Sequence, residues 1–276
     1  MHKRTFSWTT EDGIKIHACE WAAATPKAVV AIAHGLGEHI ERYDHMARWF
    51  NARGFAVIGY DRRGHGQSGG KRGHSPGVGP LLDEIAQLLV EARTAYQDLP
   101  VFLYGHSQGG GLVLSYTLHR NPKVSGVIAS APWIQLSFTP PAALVAVGKL
   151  MRKIYPGFLQ GNNLKTRLLS RDDKVVQAYE ADPLVHDRIS AAVGIGMMQE
   201  GDWLMQQKGG FPVPLLIAHG EADGVTSSEA SETFAAQLEG DVTFKGWAGL
   251  YHEIHNEPEK EAHFQYVEQW LSARIV

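Results

Sequence analysis

Ser107 stands between two glycines in the run Gly105-His106-Ser107-Gln108-Gly109. Glycines two residues to either side of a serine permit a turn too tight for side chains at those positions. A serine held on such a corner presents its hydroxyl for nucleophilic attack. The flanking residues suit that chemistry. Val101-Phe102-Leu103-Tyr104 reads as a strand leading in, and Gly110-Gly111-Leu112-Val113-Leu114-Ser115-Tyr116 as a helix leading out. Strand, Gly-x-Ser-x-Gly, helix is the setting of a nucleophile elbow, where the first N–H groups of the helix face developing negative charge.

A serine hydroxyl needs a base, and the base needs an acid to orient it. In this setting both follow on loops after later strands, acid before base. Asp223 is the candidate acid, reached from the apolar run Leu215-Leu216-Ile217-Ala218 through His219-Gly220-Glu221-Ala222. Glu221 competes with it, and an aspartate before a helix also serves as a turn or cap residue. Among 14 histidines, His252, His255 and His263 follow the last strand-like run, Val242-Thr243-Phe244. His252, in the loop Gly249-Leu250-Tyr251-His252-Glu253, is the candidate base. His255 takes that role if the loop runs longer, and His263 falls inside a terminal helical pattern.

An acyl-transfer site also needs two backbone N–H groups for the oxyanion. Gln108 directly follows the serine, and Leu36 lies in His34-Gly35-Leu36-Gly37-Glu38-His39, after a separate strand-like run. Tyr60-Asp61-Arg62-Arg63-Gly64-His65-Gly66-Gln67-Ser68 is basic and glycine-rich but lacks the phosphate-loop pattern. It reads as support for the turn beside the elbow. The pairs His34/His39 and His252/His255 have the spacing of metal ligands, yet the chemistry above needs no metal.

Buried strands and the helices between them must position these groups. Ala28-Val29-Val30-Ala31-Ile32-Ala33, Ala56-Val57-Ile58-Gly59-Tyr60, the run before the elbow, and Val124-Ser125-Gly126-Val127-Ile128-Ala129 alternate with helical patterns over 41–52 and 81–96. Continuous apolar runs alternating with helices indicate a parallel sheet covered on both faces. Residues 5–9 and 15–21, around Asp12-Gly13, predict an antiparallel hairpin. From Pro132 to about Gly210 no clear strand is apparent, only short amphipathic pieces, before strand character returns at Pro214. Residues 1–131 and 211–276 are thus expected to form the core, with 132–210 a helical cap over the strand ends. Within it, Leu144, Val147, Met151, Ile154 and Tyr155 share one helical side, while Lys149, Arg152 and Lys153 lie on the other. Such a helix suits a lipid interface or a simple lid.

Composition narrows the class further. The 276 residues are 44% hydrophobic and 20% charged, with a net charge of −3. That balance offers no electrostatic footprint for nucleic acid. Cys19 is the single cysteine, so no intrachain disulfide is possible and no cysteine-based metal site is expected. The opening Met1-His2-Lys3-Arg4-Thr5-Phe6-Ser7-Trp8 lacks the apolar core of a secretory signal, and no apolar stretch reaches membrane-span length. A cytoplasmic protein, at most peripheral to a membrane, is expected.

These motifs together resemble the monoacylglycerol lipase and lysophospholipase family of the α/β-hydrolase superfamily, in its serine-aminopeptidase-like group. The stretches that carry the resemblance are His34 to His39 with Arg42-Tyr43, Asp61 to Ser68, Gly105 to Gly110, Asp182-Pro183-Leu184, His219-Gly220 through Asp223, and Tyr251-His252-Glu253. The resemblance implies an α/β-hydrolase fold, a mostly parallel sheet with helices on both faces and the cap inserted before the last strands. It implies a triad of Ser107, Asp223 and His252, with oxyanion amides at Leu36 and Gln108. Glu38, Arg42 and His255 would border a small polar pocket for a glycerol-type head group. The implied substrate is a small acyl ester, a monoacylglycerol or lysophospholipid cleaved through an acyl-enzyme without cofactor. Related members more often carry Ala and Met where this chain has Leu36 and Gln108, which alters pocket shape but not the backbone N–H groups. The cap matches weakly, so a short-chain esterase, peptidase or carbon–carbon bond hydrolase with the same triad stays open, as does a non-catalytic lipid-binding protein.

Overall fold

The computed structural model describes residues 2–275. An eight-stranded sheet forms the centre, built from β1 (His2–Thr9), β2 (Lys15–Ala22), β3 (Ala28–Ala33), β4 (Phe55–Tyr60), β5 (Val101–His106), β6 (Gly126–Ser130), β7 (Leu215–Gly220) and β8 (Val242–Trp247). The spatial order is β1-β2-β4-β3-β5-β6-β7-β8. β2 pairs antiparallel with β1 and β4, and every other neighbouring pair is parallel. β3 to β7 are buried along their whole length, as continuous apolar strands between two helical layers must be.

α1 (Asp44–Asn51) and α8 (Lys260–Ser272) cover one face, with Met46, Phe50, Phe264, Val267 and Trp270 packed on Val30, Phe102 and Ile128. α2 (Gly79–Ala95), α3 (Gln108–Arg120) and α7 (Ser228–Ala236) cover the other. The chain runs from β3 to β4 on one side and returns to β5 on the other. Connections that depart in opposite directions open a crevice at the strands' C-terminal ends. The loops after β3 and β5 face that crevice.

Between β6 and β7 the chain builds α4 (Ala142–Ile154), α5 (Asp173–Ala181) and α6 (Ala191–Leu204). The sequence gives no strand signal here, yet Leu159–Gly161 pairs antiparallel with Arg188–Ser190 and Gly209–Gly210 pairs with Leu238–Glu239. Such short strands carry no periodicity to read, and only their partners define them. The helix predicted over 41–52 opens as a 3₁₀ turn, Ile40–Tyr43, before α1 begins. The apolar side predicted for α4 also divides. Leu144 and Val145 line the cavity beneath and Gly148 is buried against Ile195, while Val147, Leu150, Ile154 and Tyr155 face outward. α4 is therefore apolar on both sides.

Candidate active site

Ser107 occupies the corner between β5 and α3 at φ +54° and ψ −119°. A non-glycine residue pays on the order of 1 kcal/mol or more for such backbone. Hydrogen bonds on both sides hold it: its N–H donates to Ser130 O at 2.9 Å, and its carbonyl accepts from Gly111 N–H at 3.0 Å and Trp133 N–H at 2.8 Å. The flanking glycines are required by close approach. A β-carbon on Gly105 would strike the Gly109 carbonyl, and one on Gly109 would strike the carbonyl of Ala33.

Loops from the next strands bring the two candidate partners to the same place. His252 Nε2 lies 2.8 Å from Ser107 Oγ, and His252 Nδ1 lies 2.7 Å from Asp223 Oδ2. With Nδ1–H donating to the carboxylate, Nε2 is free to accept the seryl proton. Asp223 follows β7, and its other contacts fix it in turn. Oδ1 accepts the N–H groups of Val225 and Thr226 at 2.7 and 3.1 Å, and Oδ2 accepts the Thr226 hydroxyl at 2.9 Å. His219, buried between Ser231 Oγ and Asp223, adds an imidazole contact at 3.0 Å. Glu221 is exposed, and His263 is buried in α8 beside Trp247 and Phe264.

The electrostatics follow from these contacts. Burial alone would raise the Asp223 carboxyl, but His252 and His219 hold it well below the usual carboxylate range. Burial opposes a charge on His252, and Asp223 outweighs it, leaving the imidazole above its ordinary 6.5. The neighbouring His106 and His255 rings make no hydrogen bond to a carboxylate, and burial drives both well below 6.5, against the weaker pull of Glu253 and Asp223 on His106.

Leu36 lines the cavity in the loop after β3, and Gln108 follows Ser107. Gln108 opens α3, where the first helical N–H groups lack intrahelical acceptors. Gly35 brings the other loop against the serine: a β-carbon there would lie 3.2 Å from Ser107 Cβ. Arg62, fully buried, fastens the two together by donating to Gly35 O and, at 2.8 Å, to Gln108 Oε1. The basic run after β4 thus does support the turn beside the elbow. Asp182 accepts from His39 Nε2 at 2.8 Å, and His186 N–H donates to Gly37 O at 2.9 Å, so the segment after α5 holds the same loop from above.

Glu38 lines the cavity, while Arg42 and His255 lie behind it. Glu38 Oε1 accepts Gly35 N–H at 2.6 Å and the Tyr43 hydroxyl at 2.8 Å. Arg42 is turned away by two carboxylates, Glu38 at 2.6 Å and Glu253 through paired bonds of 2.7 Å. The His255 ring stacks on Tyr43 at 4.8 Å and is fully buried. Glu253 and Tyr179 join Glu38 at the cavity wall. Burial opposes the Glu253 charge, but Arg42 draws its pKa down to about 2. Sequence reading missed the parts played by Glu253, His219 and Thr226, and singled out no residue of the supporting run that holds Arg62. The available signal was position alone, beside His252, after β7 and after β4.

Above Ser107 and His252 a cavity of about 510 Å³ extends beneath the inserted helices. Its wall is mainly apolar, with Leu36, Trp133, Leu144, Val145, Ile195 and Met198 prominent, and Gln160, Asn162, Asn163 and Lys165 form a polar stretch. A serine–imidazole pair at the base of an apolar cavity suits acyl transfer to and from a hydroxyl nucleophile.

The family model described as serine aminopeptidase, S33, matches residues 24–259. A monoacylglycerol lipase of Mycolicibacterium smegmatis is 35% identical over 95% of this chain and 95% of its own length. An abhydrolase domain-containing protein of Dictyostelium discoideum is 38% identical over 91% of this chain, which spans 27% of that longer protein. Among solved structures, the monoacylglycerol lipase of Paleococcus ferrophilus superposes with a TM-score of 0.83 at 33% identity, covering 99% of this chain and 100% of that one. The chain belongs to the serine aminopeptidase S33 family of the α/β-hydrolase superfamily, in the branch that holds the monoacylglycerol lipases, and is a serine hydrolase of the lipase type.

Proposed function

We propose that Ser107 is the nucleophile, His252 the general base and acid, and Asp223 the residue that orients and stabilises the imidazole. In this reading Ser107 Oγ attacks the ester carbonyl as its proton passes to His252 Nε2. The Leu36 and Gln108 N–H groups hold the oxyanion. His252 then returns the proton to the departing alcohol, leaving an acyl-serine. Water attacks that ester with His252 again as base, releasing a fatty acid and regenerating Ser107. The protons move between protein groups, substrate and water, so no cofactor is needed. The carrying observation is the continuous contact Ser107–His252–Asp223, 2.8 and 2.7 Å, at the base of an apolar cavity.

The substrate is a monoacylglycerol, or a lysophospholipid of the same single-chain form. The apolar cavity wall suits one acyl chain, and Glu38 and Glu253 supply acceptors for head-group hydroxyls. The names of the relatives point the same way. Residues 132–210 act as the cap that shapes the chain site. The cap also supports contact with lipid. Phe138, Val147, Leu150, Ile154 and Tyr155 are all exposed, and Lys149 and Lys153 stand among them. An apolar patch edged by cations suits the surface of an anionic membrane. Among the described residues no helix is long and apolar enough to cross one.

The test is hydrolysis of p-nitrophenyl esters of graded chain length beside monoacylglycerols, lysophospholipids and a peptide amide. Long-chain monoacylglycerols or lysophospholipids are expected to give the highest kcat/KM. Preference for acetyl esters or for the amide overturns the substrate assignment while leaving the triad standing.

A further inference from the structure

Away from the cavity, the face of β2 toward the 3₁₀ turn Ile40–Tyr43 brings together an imidazole, a thiol and a carboxylate. His17 and Cys19, two residues apart on one strand, project to the same side. Cys19 Sγ lies 3.6 Å from His17 Nε2 and 3.9 Å from Glu41 Oε1, and all three donor atoms fall within 4.8 Å of one another. A tetrahedral ion bound at about 2.0–2.3 Å holds its ligand atoms roughly 3.5 Å apart. Two of the three separations are therefore within a few tenths of an ångström of that geometry. Among the described residues this is the one His/Cys/Asp/Glu group so disposed. None of its members lines the cavity or enters the chemistry above.

We propose that His17, Cys19 and Glu41 form a binding site for one thiophilic divalent cation of the zinc class. Sulfur and imidazole select against calcium and magnesium, which take oxygen ligands. Cys19 closes the site from the core, while His17 and Glu41 are half-buried and leave it open to solvent. The scaffold is fixed: His17 N–H donates to Ser68 Oγ at 2.8 Å, and its carbonyl accepts Asp61 N–H at 2.8 Å. Two side chains must yield. Lys3 Nζ, 3.1 Å from Glu41, has Asp44 within 4.0 Å as an alternative partner. The Gln67 amide nitrogen lies 3.3 Å from His17 Nε2, and turning this exposed amide over offers its oxygen as a fourth ligand. Binding exchanges the thiol proton for the cation, with the proton released to solvent. An ion there ties β2 to the 3₁₀ turn in which Arg42, next to Glu41, holds Glu38 and Glu253.

The experiment is titration of the chelator-treated, full-length protein with Co²⁺ alone. One equivalent is expected to produce a thiolate-to-cobalt charge-transfer band and the visible bands of a four-coordinate ion, displaced by Zn²⁺. Zn²⁺ should raise the Tm of the wild type. Cys19→Ala should abolish the charge-transfer band. His17→Ala and Glu41→Gln should each weaken Co²⁺ binding by about tenfold or more, the loss that even outer-shell changes bring at metal sites. His17 is half-exposed, so His17→Ala decides the matter if Cys19→Ala folds poorly. No charge-transfer band in the folded wild type, or binding that His17→Ala leaves intact, overturns the site.

Discussion

The base of the cavity and its roof are held by different forces. At the base, Ser107, His252 and Asp223 are 9%, 2% and 9% exposed, and hydrogen bonds from backbone and buried side chains fix each one. In the roof, Leu150 and Ile154 of α4 are 55% and 69% exposed, and the helix meets α6 through apolar contact and an exposed hydrogen bond from Arg152 to Gln199. Directional bonds among buried polar groups tolerate little displacement, because an unpaired group there costs its full desolvation. Apolar contact is non-directional and accepts substitution of similar volume. On the proposed mechanism, reaction geometry is confined to the base, and substrate choice can vary in the roof without disturbing it.

The largest effect that would break this division is expected at the base. Ser107→Ala and His252→Ala should each lower kcat by about 10³-fold or more with every ester, long or short. His255→Ala should fall far short of that, and the reverse order would reassign the base. With His252 as the proposed base, wild-type activity should depend on pH through it, since only the neutral imidazole accepts a proton. Because Asp223 raises it, the acid limb of kcat/KM should have an apparent pKa above 6.5.

The next effect concerns Arg42, which stands between two buried carboxylates. Arg42→Ala should cost about 3–5 kcal/mol in urea unfolding, since it strands Glu38 and Glu253 without a cation. For Glu253, the folded pKa of about 2 lies below the unpaired 4.5. Its contribution to stability is therefore present above pH 4.5 and lost as pH falls toward about 2. A raised KM at unchanged stability would place Arg42 in head-group recognition instead.

The smallest effect belongs to the roof. Replacing Lys149 and Lys153 by Gln should weaken binding to anionic vesicles by about 1 kcal/mol per charge, less as salt rises. Hydrolysis of a soluble short ester should be unchanged. Equal co-sedimentation of wild type and variant at low salt would leave α4 as a lid alone.

Much of the base was readable in advance because its signals are local. Two glycines around a serine, an apolar run before them and a helix after them determine the corner within about a dozen residues. Strand order was less accessible, although the alternation of apolar runs and helices established a parallel sheet. In the insertion the reading ran out sooner. Leu159–Gly161 and Arg188–Ser190 carry no pattern of their own, and α4 is apolar on both sides, so periodicity could not say which side faces inward.

From the sequence alone came the alternating α/β architecture, the corner at Ser107, and the naming of Asp223 and His252 as its candidate partners. These depend on short-range sterics and on the order of elements along the chain. Tertiary structure alone decided that Arg42 meets Glu253 across 211 residues, that Arg62 joins the two loops beside Ser107, and that His17, Cys19 and Glu41 converge. Such meetings follow from how β3 and β5 diverge and how loops return over the sheet, and no local pattern records them.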